Sequence, residues 1–304
     1  MKKQLSVFIL LLAWLAAADC RAQTLPAAAP DRLSVAAAAQ TLPVADKLSI
    51  AAAPRIKWTE NENATFSPAY IKRFWRDLVE LPGKPLHWNG NEWAMAGGVI
   101  GGSLLAFTID DTVRQNLKTH RSGFFTSLSD VTTHWGDWKQ QVPILMGVYV
   151  TGLATKNETL NKIAADGVEA SVIAAGILNP LAAYVAGRAL PNADENAMKF
   201  EPFTPGRYSF PSGHTTAAFA LSTVLDQNLR AKFGYWQTPL LYGMAAGCAV
   251  SRVYDHTHYV SEIIWGAGVG WAVGYWVSNK PRNISDRTVF LIPVENGAKL
   301  ACRF

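Results

Sequence analysis

The stretch that decides the fold is FPSGHTTAAFA, Phe210–Ala220. Pro211, Ser212 and Gly213 precede an Ala-rich pattern of helical period. Proline suits the first position of a helix, a serine oxygen can accept from first-turn amides, and glycine lets backbone come close to a ligand. Two readings are open. In one, Ser212 simply caps a helix that carries a surface histidine. In the other, the free N–H groups of the turn hold an anion, and His214 stands ready to give a proton to whatever leaves it. Taken alone, the stretch does not choose.

A second stretch, SRVYDHTHYVSEIIWG, Ser251–Gly266, tips the balance. Five residues separate Arg252 from His258, and Glu262 follows at i+4, on the same helical face. A carboxylate on one ring nitrogen fixes the tautomer and leaves the other nitrogen free to attack. Arg252 offers a planar, two-pronged donor suited to phosphate oxygens. His256 is the rival histidine, but the residue four positions on is Val260, which cannot orient an imidazole. His256 is therefore read as a bystander.

These two blocks, in this order, resemble the PAP2 superfamily of type 2 phosphatidic acid phosphatases, class A acid phosphatases and vanadium haloperoxidases. The family pattern is Lys-x6-Arg-Pro, then Pro-Ser-Gly-His, then Ser-Arg-x5-His-x3-Asp. The second block is intact at Pro211–His214, and the third at Ser251, Arg252 and His258, with Glu262 in the place of the aspartate. The first block is degenerate. In AAYVAGRALP, Ala182–Pro191, Leu190 stands at the family's arginine and Ala183 at its lysine, and Arg188 is the cation that survives. Lys199 and Arg207, in the loop that follows, are candidates to make up the loss.

The resemblance implies an all-α, six-helix bundle and a metal-independent phosphatase without cofactor. Its implied roles make His258 the nucleophile, Glu262 its orienting partner and His214 the acid and then base. Arg188, Arg252, Ser212 and the Gly213 amide would hold the phosphate. The implied substrate is a phosphomonoester or a lipid phosphate or pyrophosphate. The alternatives are an envelope protein that binds a phosphorylated ligand without turning it over and, less favoured, a vanadate-dependent haloperoxidase.

The rest of the 304-residue chain fits around this core. Apolar charge-poor runs of similar length occur at Trp93–Ile109, Gln140–Thr155, Ala170–Gly187, Tyr208–Leu225, Phe233–Ser251 and Ile263–Asn279. They sit at the short end of what crosses a bilayer, so the bundle is expected to be membrane-embedded or membrane-associated. Runs such as GAGVGWAVGYW predict close helix approach. Tyr70–Gly83 has apolar residues at helical spacing and is expected to pack on the core, with a membrane surface as the alternative. Asp110-Asp111 reads as a solvated helix end. HWGDWKQ, His134–Gln140, reads either as an interfacial belt or as a loop packed on the bundle. A β-hairpin is expected near the C-terminus, where TVFLIPVENGAKL alternates around an Asn-Gly pair.

Residues 1–22 have the basic start, apolar run and small-x-small end of an export signal; an uncleaved anchor and a lipoprotein signal at Cys20 are the alternatives. An Ala/Pro-rich tether, residues 23–55, leads to a helical domain over 56–281 and a tail over 282–304. The expected location is the bacterial cell envelope, with the site outside the cytoplasm. Beyond the signal, Cys248 and Cys302 are read as unpaired thiols. A formal charge of +5 without a basic run gives no ground for a nucleic-acid partner, whereas it suits an anionic membrane or a phosphorylated substrate.

Overall fold

The computed structural model describes residues 68–193, 195–280, 289–294 and 297–302. All of them belong to the larger of two compact units of the chain, Asn61–Phe304. The export signal and the tether lie outside the described residues.

The described domain is helical. Its elements are α1 (Pro68–Glu80), α2 (Gly90–Phe107), α3 (Asp110–Thr119), α4 (Gly123–Thr132), α5 (Trp138–Thr155), α6 (Glu158–Ser171), α7 (Asn179–Ala186), α8 (Gly213–Phe233), α9 (Gln237–Tyr254) and α10 (Val260–Asn279). A π-helical turn, Val172–Leu178, joins α6 to α7, so that Glu158–Ala186 runs on as one helix of 29 residues. Strands β1 (Val289–Val294) and β2 (Gly297–Cys302) pair antiparallel, with Val294 opposite Gly297.

Each of the six apolar runs lies largely within one helix, but the limits differ. Helix α6 begins twelve residues ahead of its run, in the polar stretch ETLNKIAADGVE, because Asn157 caps it by accepting from the Leu160 N–H at 3.2 Å. Helix α8 starts at Gly213 rather than Tyr208, since Ser212 is its N-cap.

Helix α8 is the centre of the bundle, packed against α10, α9 and α6. A glycine every fourth residue on α10 lets the two backbones meet. A Cβ on Gly266, Gly270 or Gly274 would lie 2.9, 2.3 and 2.6 Å from the carbonyl oxygens of Ser212, Thr216 and Ala220. Around this seam Ala170, Ile173, Ala174, Ala220, Val224, Val273 and Val277 form a buried apolar cluster. Their removal from water is the main drive for folding.

Helix α1 packs on the core as expected, though not by its whole apolar set, and one expectation, that for Asp110, is corrected. Helix α1 turns its charges inward: Arg73 and Asp77 are buried, whereas Ile71, Trp75 and Val79 are exposed. Ion pairs with α6 and Lys280 hold it beside the apolar contacts of Tyr70 and Phe74 with the core. Asp110 is likewise no solvated helix end. It opens α3, where a carboxylate complements the helix dipole, but it is 1% exposed and carries ligands from two other elements. The Trp-rich segment packs on the bundle, with the indole N–H of Trp135 donating to Ser222 Oγ at 2.8 Å.

By length and composition, one helix among the described residues, Glu158–Ala186, is long and apolar enough to cross a membrane; α2 and α3, bent by 57°, pass the same test as a pair.

Candidate active site

The site lies where the start of α8, the end of α9 and the start of α10 converge. The N–H of Ser212 donates to the carbonyl of Glu262 at 3.4 Å, which ties the second block to the third. Ser212 Oγ accepts from the N–H of Thr215 at 3.4 Å and from its hydroxyl at 2.9 Å. The capping reading therefore holds, and it leaves the Ser212 hydroxyl proton and the first-turn amides of Gly213 and His214 free of helical acceptors.

His258 reaches this corner from the turn between α9 and α10. Its Nδ1 donates to Glu262 Oε2 at 2.9 Å, which leaves Nε2 as the free nitrogen. The same carboxylate oxygen accepts from Ser209 Oγ at 2.8 Å and from the N–H of Tyr259 at 3.2 Å. The last bond explains why glutamate works where the family pattern has aspartate. At the third position of α10 its longer arm bends back to the helix N-terminus, as in a capping box.

Arg188 closes the other side of Glu262. Its Nη1 donates to Glu262 Oε1 at 3.0 Å and to Ser261 Oγ at 2.9 Å, its Nη2 to Asp110 Oδ2 at 2.7 Å, and its Nε to the carbonyl of Ala197 at 2.8 Å. The guanidinium lies 4.0 Å from the ring centroid of Tyr259 and 4.7 Å from that of Phe107. With 0% of its surface exposed, Arg188 is a support behind the His–Glu pair and does not line the mouth. Sequence reasoning placed it on the phosphate and missed Asp110, Ser209 and Ser261. Gly187 makes this fold-back feasible: its φ is +61°, and a Cβ there would stand 1.8 Å from the Glu201 carbonyl.

Nor do the two candidate replacement cations reach in. Lys199 pairs with Glu195 and Glu201 at 2.9 Å each, and Arg207 pairs with the same two carboxylates at 2.8 and 2.7 Å. Arg252 is different. Its Nη2 bonds Asp255 at 2.7 Å, but its Nε is buried with no hydrogen-bond partner. A buried donor left unmatched is costly, so a ligand oxygen is the natural complement.

His214 occupies the first turn of α8. Burial pushes its imidazole down to about 4; Arg252 adds to that, Asp137 opposes it, and His258 and Lys139 act with Arg252. An anion bound beside Arg252 would reverse the balance. Cys248 lies beneath, with its sulfur 3.9 Å from the His214 carbonyl, and burial raises its thiol to about 11, which makes it a poor nucleophile. His256 stands apart from the pair, in a left-handed backbone conformation (φ +53°) with a hydrogen bond to the backbone of Leu117.

The description "PAP2 superfamily" fits residues 168–285. The lipid A 1-phosphatase of Porphyromonas gingivalis is 27% identical over 186 residues, 60% of this chain and 37% of that protein. The lipid A 4'-phosphatase of the same organism is 36% identical over 72 residues, 24% of this chain and 29% of that protein. The chain thus spans about a third of the length of these relatives. A transmembrane PAP2 type phosphatidylglycerolphosphate phosphatase from Bacillus subtilis superposes with a TM-score of 0.44 at 16% identity, over 59% of this chain and 92% of that one.

Proposed function

From the premise that residues 168–285 belong to the PAP2 superfamily, we propose that the protein hydrolyses the phosphate ester or pyrophosphate of a lipid through a phosphohistidine. The observation that carries this reading is the 2.9 Å bond from His258 Nδ1 to Glu262, which leaves Nε2 free on a turn whose His258 N–H bonds the carbonyl of Arg252 at 3.1 Å, the residue with the unmatched donor. Nε2 attacks phosphorus. The bond to the leaving oxygen breaks, and His214 protonates that oxygen. Water then attacks the phosphohistidine while His214 takes its proton, the P–N bond breaks, and phosphate leaves. Arg252, the Ser212 hydroxyl and the amides at Gly213 hold the charge that spreads over the equatorial oxygens.

The preference for a lipid rests on a groove of about 490 Å³ between α2, α8 and α10, lined by Met95, Val99, Phe219, Ile264 and Trp271. Ile264 and Trp271 lie two and nine residues beyond Glu262 and about half a revolution round α10 from it, so the groove follows the far face of that helix, from about 3 to about 13 Å along its axis from the position of Glu262. Beyond it, Leu104 and Leu105 on α2 and Trp138, Val142, Met146 and Val150 at four-residue intervals on α5 are exposed. Apolar surface on this scale belongs at a membrane. With the leader-like N-terminus, the reading places the work at the outer side of a bacterial cytoplasmic membrane.

The test is hydrolysis of a simple phosphomonoester and of a lipid phosphate in vesicles, with EDTA present, by the full chain and by His258→Ala. Turnover that persists in EDTA, is faster on the lipid, and passes through an acid-labile phosphoenzyme missing from the variant is the expected result. Turnover that survives in His258→Ala defeats the mechanism. A second reading has its own support: Arg188, Lys199 and Arg207 are all held by carboxylates. If the unaltered chain binds lipid phosphate without turning it over, the protein is a binding scaffold.

A further inference from the structure

Behind the His–Glu pair lies a charge arrangement that the family pattern does not contain. Asp110, from the first turn of α3, accepts from Arg188 Nη2 at 2.7 Å, from the Ser261 N–H at 3.0 Å and from the Ser261 hydroxyl at 2.5 Å. Arg188 in turn reaches Glu262, and Glu262 reaches His258. The side chains of Asp110 and Glu262 are 0% exposed and that of Arg188 is 1% exposed, so water screens little between them. Two carboxylates face one guanidinium, which leaves one negative charge unmatched. The nearest group able to match it is the imidazole of His258.

From this chain of contacts we infer that Asp110 is a positioning residue, which keeps Arg188 from neutralising Glu262 and so reserves the carboxylate's charge for His258. The inference rests on the nucleophile reading. Without Asp110, Arg188 and Glu262 form a closed neutral pair, and His258 meets a dipole in place of an anion. With it, the cation that forms on the ring when Nε2 takes a phosphoryl group completes a neutral set of four. Glu262 thus works as a charged partner although a guanidinium touches it. Ser261 fixes the geometry, since its amide and hydroxyl hold both oxygens of Asp110.

Other charged groups approach the corner from each neighbouring element. Arg252 with Asp255 comes from the end of α9, His214 from α8, Arg114 with Asp111 from α3, and Asp137 and Lys139 from the start of α5. None of these is altered in the test.

The test reads the titration of the His258 ring by NMR in histidine-labelled protein without substrate, the signal being assigned by its loss in His258→Ala. Asp110→Asn removes the reserved charge, so the ring is expected to titrate at lower pH than in the unaltered protein. Arg188→Gln leaves both carboxylates unmatched, so the ring is expected to titrate at higher pH. Shifts of roughly half a unit to one unit are expected for charges coupled through one buried partner. Carrying both changes returns the midpoint toward the unaltered value. A merely structural role predicts shifts of the same sign or none, and either result overturns the inference. Should one variant fail to fold, the sign in the other decides. Turnover of the unaltered chain and its phosphoenzyme judges the nucleophile reading separately, because the ring titration needs no substrate.

Discussion

Two buried clusters of charge stand in this domain, and they differ in closure. At one, Arg73 of α1 meets Glu169 of α6 at 3.6 Å, and Lys280 bonds both Glu169 and Asp77 of α1. Arg76, partly exposed, also reaches Asp77 at 3.6 Å, so neither carboxylate of this cluster lacks a cation. Burial raises the Glu169 carboxyl, while Lys280 and Arg73 pull it back. At the other, Arg188 faces Asp110 and Glu262, and the set is one positive charge short. The first cluster works as a clamp: with Tyr70 and Phe74 it holds α1, whose Ile71, Trp75 and Val79 point outward. The second keeps one negative charge over, which in the proposed mechanism a charged intermediate on His258 would match. A buried ionic group is thus structural when its charges close and is poised for chemistry when they do not.

Substitutions on the two sides break in different currencies. His258→Ala is expected to lower turnover by at least about a thousandfold, because no other group can carry the phosphoryl, while the melting temperature stays close to that of the unaltered chain. Lys280→Met is expected to do the converse. It strands Asp77 and Glu169 without their shared cation, which costs about 3–5 kcal/mol of stability in a buried site, while turnover per folded molecule is retained. Denaturant unfolding and initial rates on the same samples separate the two. Loss of turnover in folded Lys280→Met would show that the clamp reaches the site and would erase the distinction.

A smaller effect probes the mouth. Arg252→Met removes a guanidinium whose Nε has no protein partner. Loss of one charge-assisted contact of about 1.5–3 kcal/mol predicts a fall in kcat/KM of roughly ten- to a hundredfold. The loss is expected mainly in kcat, because the contact strengthens as charge spreads over the oxygens. A change confined to KM would instead place Arg252 on the bound substrate alone.

How much of this was legible in the sequence follows the range of each interaction. The spacing of His258 and Glu262 is local to one helix turn, and the structure joins them at 2.9 Å. The Gly266, Gly270 and Gly274 stripe is periodic, and it marks the close seam with α8. Arg188 was misread because its partner Asp110 lies 78 residues away, and no local pattern announces such a pair. The adjacent Asp110 and Asp111 look alike on paper, yet only the first faces the core; the side chain of Asp111 is 37% exposed. Helix α1 packs on the core as its period suggests, but period alone does not show that Arg73 and Asp77 share the covered face with Tyr70 and Phe74. There, ion pairs with residues about a hundred and two hundred positions on chose the charged face.

The smallest predicted effect concerns a single proton. His214 is held at about 4 by burial and by Arg252, below the ordinary range near 6.5. In the ligand-free protein at pH 6 the ring is therefore neutral, and without the proton that the proposed acid role requires. A bound anion offsets Arg252 and favours the imidazolium, so binding is expected to draw a proton from solution. Sulfate is the suitable probe, because it has no proton of its own to exchange at pH 6. Calorimetry in buffers of different ionisation enthalpy should show uptake of a fraction of a proton per sulfate at pH 6. The uptake should pass through a maximum between the free and the bound midpoint and fade only well below pH 4, where the free ring is already charged. His214→Asn should bind sulfate with that uptake removed. If the variant takes up as much as the unaltered chain, the proton goes to His258 instead, and the acid must be sought elsewhere. With uptake lost in the variant, the site loads its acid only when an anion is present, and the bound anion itself brings the proton that the leaving oxygen needs.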